Sequence, residues 1–339
     1  MRLAGDIGGT KTLLSLFEAR SDGRWHCQHE QVFASQAFAH FEDILTAFLP
    51  ADSDISSACF GVAGPVVNQR CQATNLPWLI DTADLQQRLG TSQVKLLNDL
   101  EAMAMGMLCL PEQDLLELNP NAQAQTGNIA VLAAGTGLGE AILYWDGKQH
   151  QPIATEGGHC DFAPQTAQQD RLLCFLRSLY PDHVSNERVI SGMGIGHLYD
   201  FLCQDNFAPV CLAVSTYDAE HAEGDRNALI TQLGINGADP LCTEVVRLFV
   251  ELYGAEAGNL ALKSLATGGV FIGGGIAPKL LSALQAGGFM NAFCAKGRFF
   301  PLLNNVSVKV ALNPRTPVLG ALSYFARTVQ EQDRILECA

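Results

Sequence analysis

The chain has 339 residues, 48% hydrophobic and 17% charged, with a formal net charge of −14. That length and apolar content suit two packed domains, and the negative charge excludes a nucleic-acid backbone as a main partner. Its eleven cysteines are odd in number, scattered and never spaced Cys-x-x-Cys, which points to free thiols in a reducing cytosol rather than a disulfide framework or a zinc site.

The chain opens directly on a strand, with no signal-peptide core, and no run approaches the ~20 apolar residues of a membrane span. A cytoplasmic protein without membrane contact is therefore expected. Leu3 to Leu16 reads as strand, turn, strand: Leu3 and Ile7 lead in, Gly8-Gly9 turns, and Leu14-Ser15-Leu16 alternates on the way out. A turn made by glycines in positive-φ conformations leaves backbone N–H groups facing outward, an anion-binding concavity suited to phosphate. Thr10 adds a hydroxyl, Lys11 a positive charge, and Asp6 a carboxylate able to hold Mg²⁺ directly or through its waters.

Further strands are expected over 28–34, 55–62 and 94–97, and helices over 41–49, 82–89 and 100–110. Asp81 or Thr82 caps the second of these helices. Gly64-Pro65 marks a turn or a hinge, with even odds between them. Asn98-Asp99 follows a strand and precedes a helix, which suits either a helix cap or a residue projecting into a cleft. Pro111 stops that helix, a polar low-order stretch follows to Gly127, and a domain boundary is expected near Leu110. The order before it, βββαβα, is that of one half of the actin-like ATPase fold.

Asn128 to Tyr144 repeats the opening pattern, with Gly135-Thr136-Gly137-Leu138-Gly139 as the turn. Neither turn is a Walker loop, since no Gly-Lys-Ser/Thr ending opens a helix, and neither is a dinucleotide fingerprint. Glu156-Gly157-Gly158-His159 has Glu-x-x-His spacing, but its adjacent glycines favour a loop over a metal-binding helix face. Helices are expected over 168–178 and 194–202, while residues 204–238 give no clear pattern. Asp239-Pro240 starts a long helix through Leu262. Gly269 to Ile272 is a strand, Gly273-Gly274-Gly275 is expected to open a helix from Pro278 whose N-terminus faces a nucleotide, and Pro317 begins a last helix.

Taken together, Gly5–Thr10, Phe60–Pro65, Asn98-Asp99, Gly135–Gly139, Glu156–His159, Glu187–Gly192 and Val270–Ala277 resemble, in order and over nearly the whole chain, the bacterial glucokinases of the hexokinase/actin-like ATPase superfamily. The resemblance implies a two-lobed α/β fold of ribonuclease H-like type with an interdomain cleft. Its small domain would hold residues 1–110, completed by a helix over about 317–339, and its large domain residues 111–316. It implies ATP-dependent phosphorylation of D-glucose at the 6-hydroxyl, at the entry to glycolysis, with Mg²⁺ and in a homodimer.

The same resemblance makes Asp99 the base and places Asn98, Gly137, Glu156, His159 and Glu187 on the sugar. Gly5, Asp6, Ile7, Gly8, Gly9, Thr10, Lys11, Thr136, Gly274 and Gly275 would hold ATP, with Asp6 also on Mg²⁺. Without it, Glu187 reads as a surface acid paired with Arg188. Related sugar kinases of the repressor/kinase family carry lysine at the place of Lys11, but also a Cys-rich zinc motif; residues 160–180 hold only Cys160 and Cys174. A kinase for mannose or N-acetylglucosamine, or a non-catalytic sugar sensor, would fit the same fold.

One magnitude bounds the base. Aspartate titrates near ~3.9 and a sugar hydroxyl near water's ~15.7, so full deprotonation before attack costs roughly 16 kcal/mol. Asp99 is therefore expected to orient the hydroxyl and take its proton late in an in-line transfer.

Overall fold

Hydrophobic alternation builds the first sheet. In the computed structural model, which describes residues 1–20, 25–50, 53–220 and 225–326, β1 (Arg2–Ile7), β2 (Lys11–Ala19) and β3 (Trp25–Ala34) form an antiparallel meander. Helix α1 (Phe41–Phe48) buries Phe41, Ile44, Leu45 and Phe48, the spacing of one helix face, and Asp43 accepts from the His40 N–H at its start. Strand β4 (Ser57–Val62) runs parallel to β1, Asp6 opposite Gly61.

Three short strands follow, β5 (Val66–Val67), β6 (Arg70–Gln72) and β7 (Leu79–Asp81), in a small antiparallel sheet that the sequence reading lacks. Helix α2 (Thr82–Leu89) is capped by Asp81, which accepts from the Ala83 N–H, and ends at Gly90 in the left-handed region. Strand β8 (Val94–Asn98) completes the sheet order β3-β2-β1-β4-β8 and hands over to α3 (Asp99–Met107).

The expected low-order stretch after Pro111 instead holds a 3-10 turn, Glu112–Asp114, and β9 (Leu115–Glu117). The second sheet contains, in order, β11 (Leu138–Trp145), β10 (Ile129–Ala134), β13 (Gly269–Gly273) and β14 (Val308–Ala311), with β10–β11 antiparallel and the other two pairs parallel. Strand β12 (His150–Ala154) precedes a 3-10 turn at Gly157–His159.

Helices α4 (Ala167–Leu179), α5 (Gly192–Gln204), α6 (Leu212–Glu220), α7 (Arg226–Ile235) and α8 (Pro240–Ser264) follow, so the unread stretch 204–238 contributes two helices. Asp239 caps α8 as expected, accepting from the Cys242 N–H. The expected helix from Pro278 is a correction: a turn runs from Gly274 to Leu280, and α9 (Leu281–Gln285) begins only after it. Short α10 (Gly288–Cys294) and α11 (Phe300–Leu303) lead to β14, and α12 (Thr316–Ser323) closes the described chain. The remainder of the expected last helix, 327–339, lies outside the described residues.

By contacts the chain divides into two units. The first comprises 1–116, 151–154 and the chain from Ala311; the second comprises 117–150 and 155–310. Each has its own buried core: Leu3, Ile7, Phe41, Phe60 and Trp78 in the first, Val131, Leu132, Tyr253, Phe289 and Val310 in the second. Among the described residues no helix is long and apolar enough to cross a membrane.

Candidate active site

In the first unit the opening turn is tight. Gly8 N–H donates to the Lys11 carbonyl at 3.0 Å, and buried Ser35 clamps it, its hydroxyl donating to the Gly8 carbonyl at 2.7 Å and its N–H to the Thr10 carbonyl at 3.0 Å. Gly8 and Gly9 are not among the positive-φ residues, which corrects the expected reason for the pair. The turn is crowded as well: a β-carbon on Gly9 would stand 3.1 Å from the Thr74 carbonyl oxygen, tighter than most such contacts. Thr10 and Lys11 are exposed, whereas Gly5 and Ile7 are buried in β1.

Asn98 is the cap of α3. Its side-chain oxygen accepts from the Leu100 N–H at 3.0 Å, its own N–H donates to Glu101 at 2.9 Å, and its amide donates to the Gly64 carbonyl at 3.1 Å. One amide hydrogen is thereby committed inside the protein, and the other is left for a ligand. Gly64 has φ +139, the backbone of a turn. Asp99 is half-buried at the first position of α3.

Asp6 shares this corner. Burial first, and the Asp99 carboxylate second, push its pKa from 3.8 up to about 7. A hard divalent cation beside Asp6 would relieve that carboxyl group's burial and repulsion. An acid raised on folding contributes stability that is fully present below about pH 4 and is lost as pH rises through about 7, here up to roughly 4 kcal/mol. Asp6→Asn should flatten the dependence of urea midpoint on pH across that window; an unchanged slope would show that Asp6 titrates normally.

In the second unit, three expected segments, 135–139, 156–159 and 187–192, meet at Leu138. Its N–H donates to Glu187 Oε2 at 3.0 Å, and its carbonyl packs on Gly158 so closely that a β-carbon there would stand 2.0 Å away. At Gly137 the obstacle is a movable side-chain end: a β-carbon there would stand 2.3 Å from Glu187 Oε2. The Gly192 N–H donates to the Gly135 carbonyl at 2.8 Å, and the Asn186 N–H to the Cys160 carbonyl at 2.9 Å. Glu187 sits in a 3-10 turn, Asn186–Arg188, and Ser191 fixes it by donating to the Glu187 carbonyl at 2.7 Å.

The residue expected to pair with Glu187, Arg188, instead stacks over the Tyr180 ring at 3.9 Å. Glu156 and His159 are exposed on their 3-10 turn, and Thr136 is exposed on the glycine turn. Gly274 lies against the end of β10 with φ +80, and a β-carbon on Gly135 or Gly275 would meet open space. A ligand can therefore reach that backbone directly.

A family model for glucokinase matches residues 3–328. The chain belongs to the glucokinase family. The glucokinase of Trichormus variabilis is 39% identical to it, with 96% of this chain and 98% of that protein covered. The glucokinase of Synechocystis is 38% identical, at 94% and 96% coverage. Among solved structures, glucokinase from an Antarctic psychrotroph matches with TM-score 0.82 and 30% identity over 96% of this chain and 99% of that one. A ROK family glucokinase from Streptomyces griseus, in complex with glucose and AMPPNP, shares the fold at TM-score 0.61 and 20% identity, covering 94% and 97%. Glucokinase-family membership thus comes with a mixed-sheet α/β fold of sugar-kinase type.

Sequence reasoning about this glucokinase-family chain gave no role to Ser35 or Glu140, and read Ser191 only as part of the 187–192 stretch. A hydroxyl inside a turn carries no pattern, and an acid on an alternating strand reads as a solvent-facing residue. The described cysteines are free thiols. Cys211, Asp239 and Cys242 do gather within 4.8 Å, but Asp239 is the cap of α8 and burial pushes the Cys242 thiol far above its ordinary range.

Proposed function

We propose that this glucokinase-family chain transfers the γ-phosphoryl group of ATP to the 6-hydroxyl of D-glucose, giving glucose 6-phosphate and ADP. The observation that carries the reading is the family match across residues 3–328. The sugar oxygen forms the new P–O bond, the bond from the γ-phosphorus to the bridging oxygen breaks, and the hydroxyl proton passes late to Asp99. Asn98, with one amide hydrogen available, and Glu156, His159 and Glu187 hold the other hydroxyls, and Gly137 keeps the backbone thin beside Glu187. A pocket built from such groups rejects sugars lacking a matching hydroxyl.

The backbone of Gly9 with the side chains of Thr10 and Lys11 takes phosphate from the first unit, while Gly5, Ile7 and Gly8, expected to touch it directly, are spent in the β1 ladder and the turn's own hydrogen bond and hold the turn in shape. Thr136, Gly274 and Gly275 take nucleotide from the second. Asp6 would hold Mg²⁺ through its waters, and the ion would supply charge neutralisation at the phosphates. The fold in this reading is the two-lobed actin-like ATPase type, with a small domain and a large domain that close on the sugar to exclude water. The protein acts in the cytoplasm as a homodimer, feeding glycolysis.

The decisive experiment is coupled detection of ADP with a panel of hexoses and phosphoryl donors. Turnover on glucose and ATP well above mannose and N-acetylglucosamine is expected; no turnover on any hexose would overturn the reading.

Gly137→Ala tests the sugar side. The added methyl group meets the movable end of Glu187 rather than backbone, so the fold should survive. Glu187 should leave the Leu138 N–H, a charge-assisted bond of about 2 kcal/mol, and if that whole energy is lost from the sugar site glucose binding weakens roughly thirtyfold. Calorimetric titration with glucose checks it: an unchanged Kd would remove Glu187 from the sugar.

A further inference from the structure

Glu140 stands on β11 two residues beyond Leu138, and its side chain is 1% exposed. Neither of its carboxyl oxygens has a hydrogen-bond partner. One of them lies directly under the turn that carries Glu156 and His159: a β-carbon on Gly157 would stand 2.1 Å from Glu140 Oε2. The main chain joins the same two segments. Thr155 Oγ1 donates to the Glu140 carbonyl at 2.8 Å, and the Gly157 N–H donates to Thr155 Oγ1 at 3.2 Å.

The groups around this carboxyl oppose a charge on it more than they favour one. From α8 it faces Tyr253, Glu256 and Lys263. Buried Glu256 already binds Lys263 at 3.2 Å and Asn259 at 2.8 Å, and Lys296 beyond it donates to Asn259 at 2.7 Å and to the Ala255 carbonyl at 2.9 Å. Cys160, just past the turn, faces Lys263. A burial this complete, with no donor on either oxygen, is costly for a carboxylate and far cheaper for the neutral acid.

We infer that Glu140 is a positioning residue for the Glu156–His159 turn, and that its uncharged acid form supports that turn in the shape that binds sugar. The inference rests on the glucokinase reading. Burial, then the Glu256 carboxylate, push the Glu140 pKa from 4.5 up to about 7, with Lys263 pulling the other way. As pH rises through that value, a second negative charge appears beside Glu256, and the turn must shift or admit water to solvate it. Glucose binding should weaken in step.

The test measures the glucose Kd by calorimetry without nucleotide, and glucose KM and kcat by the coupled assay, at about pH 6 and about pH 8. For the wild type, Kd and KM should rise by up to about tenfold, the ratio of protonated populations of a group titrating near 7. Glu140→Gln has a neutral side chain of the same shape. It should hold the low-pH affinity at both pH values, with kcat within about twofold of wild type. His159, on the same turn, contributes equally to both proteins, so the contrast isolates position 140.

Parallel pH profiles in wild type and Glu140→Gln would overturn the inference while leaving the kinase reading intact. Should the Gln protein fail to fold, the wild type decides alone, because a flat Kd across the interval overturns the proposal. A wild type without glucose turnover would overturn the kinase reading instead.

Discussion

Asp99→Ala should lower kcat for glucose phosphorylation by about a thousandfold, the middle of the range for a positioned base, with glucose KM changed only a few-fold. The residue is at the first position of α3, but the cap is Asn98, so the protein should stay folded and melt within a few degrees of wild type. Asp99→Asn should be equally slow, because an amide orients the hydroxyl but cannot take its proton. Coupled ADP detection at saturating ATP measures this, and near-normal turnover in either variant would remove Asp99 from the chemistry. The rate should also fall less steeply than a full alkoxide mechanism requires, since proton transfer is late and the acid does not have to ionise the hydroxyl first.

Gly320→Ala should destabilise the first unit by about 3 kcal/mol or more. Helices α12 and α3 cross with backbone against backbone: a β-carbon on Gly320 would stand 1.7 Å from the Ala102 carbonyl oxygen, and one on Gly106 would stand 1.8 Å from that of Thr316. Neither obstacle is a side chain that could turn away, so one helix must move. Because α3 begins with Asp99, the shift should lower kcat as well as stability. Hydrogen exchange at 94–107, where protection should fall, checks the site of damage; a melting curve unchanged from wild type would show that the crossing tolerates a methyl group.

Much of this was legible in the residues. Leu3 to Leu16, Asn128 to Tyr144 and the 239–262 helix carry strong periodicity and clear punctuation, and the structure has elements there. What escaped has physical causes. Strands of two or three residues, such as Val66–Val67 and Arg70–Gln72, are too short to show alternation. Helices α6 and α7 have mixed faces, and the turn after Gly274 imitates a helix start because glycine and Pro278 suit both. The glycines of the site taught the sharpest lesson. The Thr74 carbonyl lies close to Gly9 and the Glu187 carboxylate close to Gly137, and no local pattern announces a neighbour 50 or more residues away. Glu140 escaped for the converse reason, since which face of a strand is covered depends on what packs over it later.

The first unit is written in pieces. Its sheet and α3 come from the first 116 residues, yet α12, the helix pressed against α3, comes only after Val310. On the ribosome, the segment bearing Asp99 must therefore wait while nearly two hundred residues of the other unit emerge. A nascent chain halted before Thr316 would expose the face of α3 that Gly320 covers, a natural target for chaperones and proteases. The first unit can thus close only after α12 has been made.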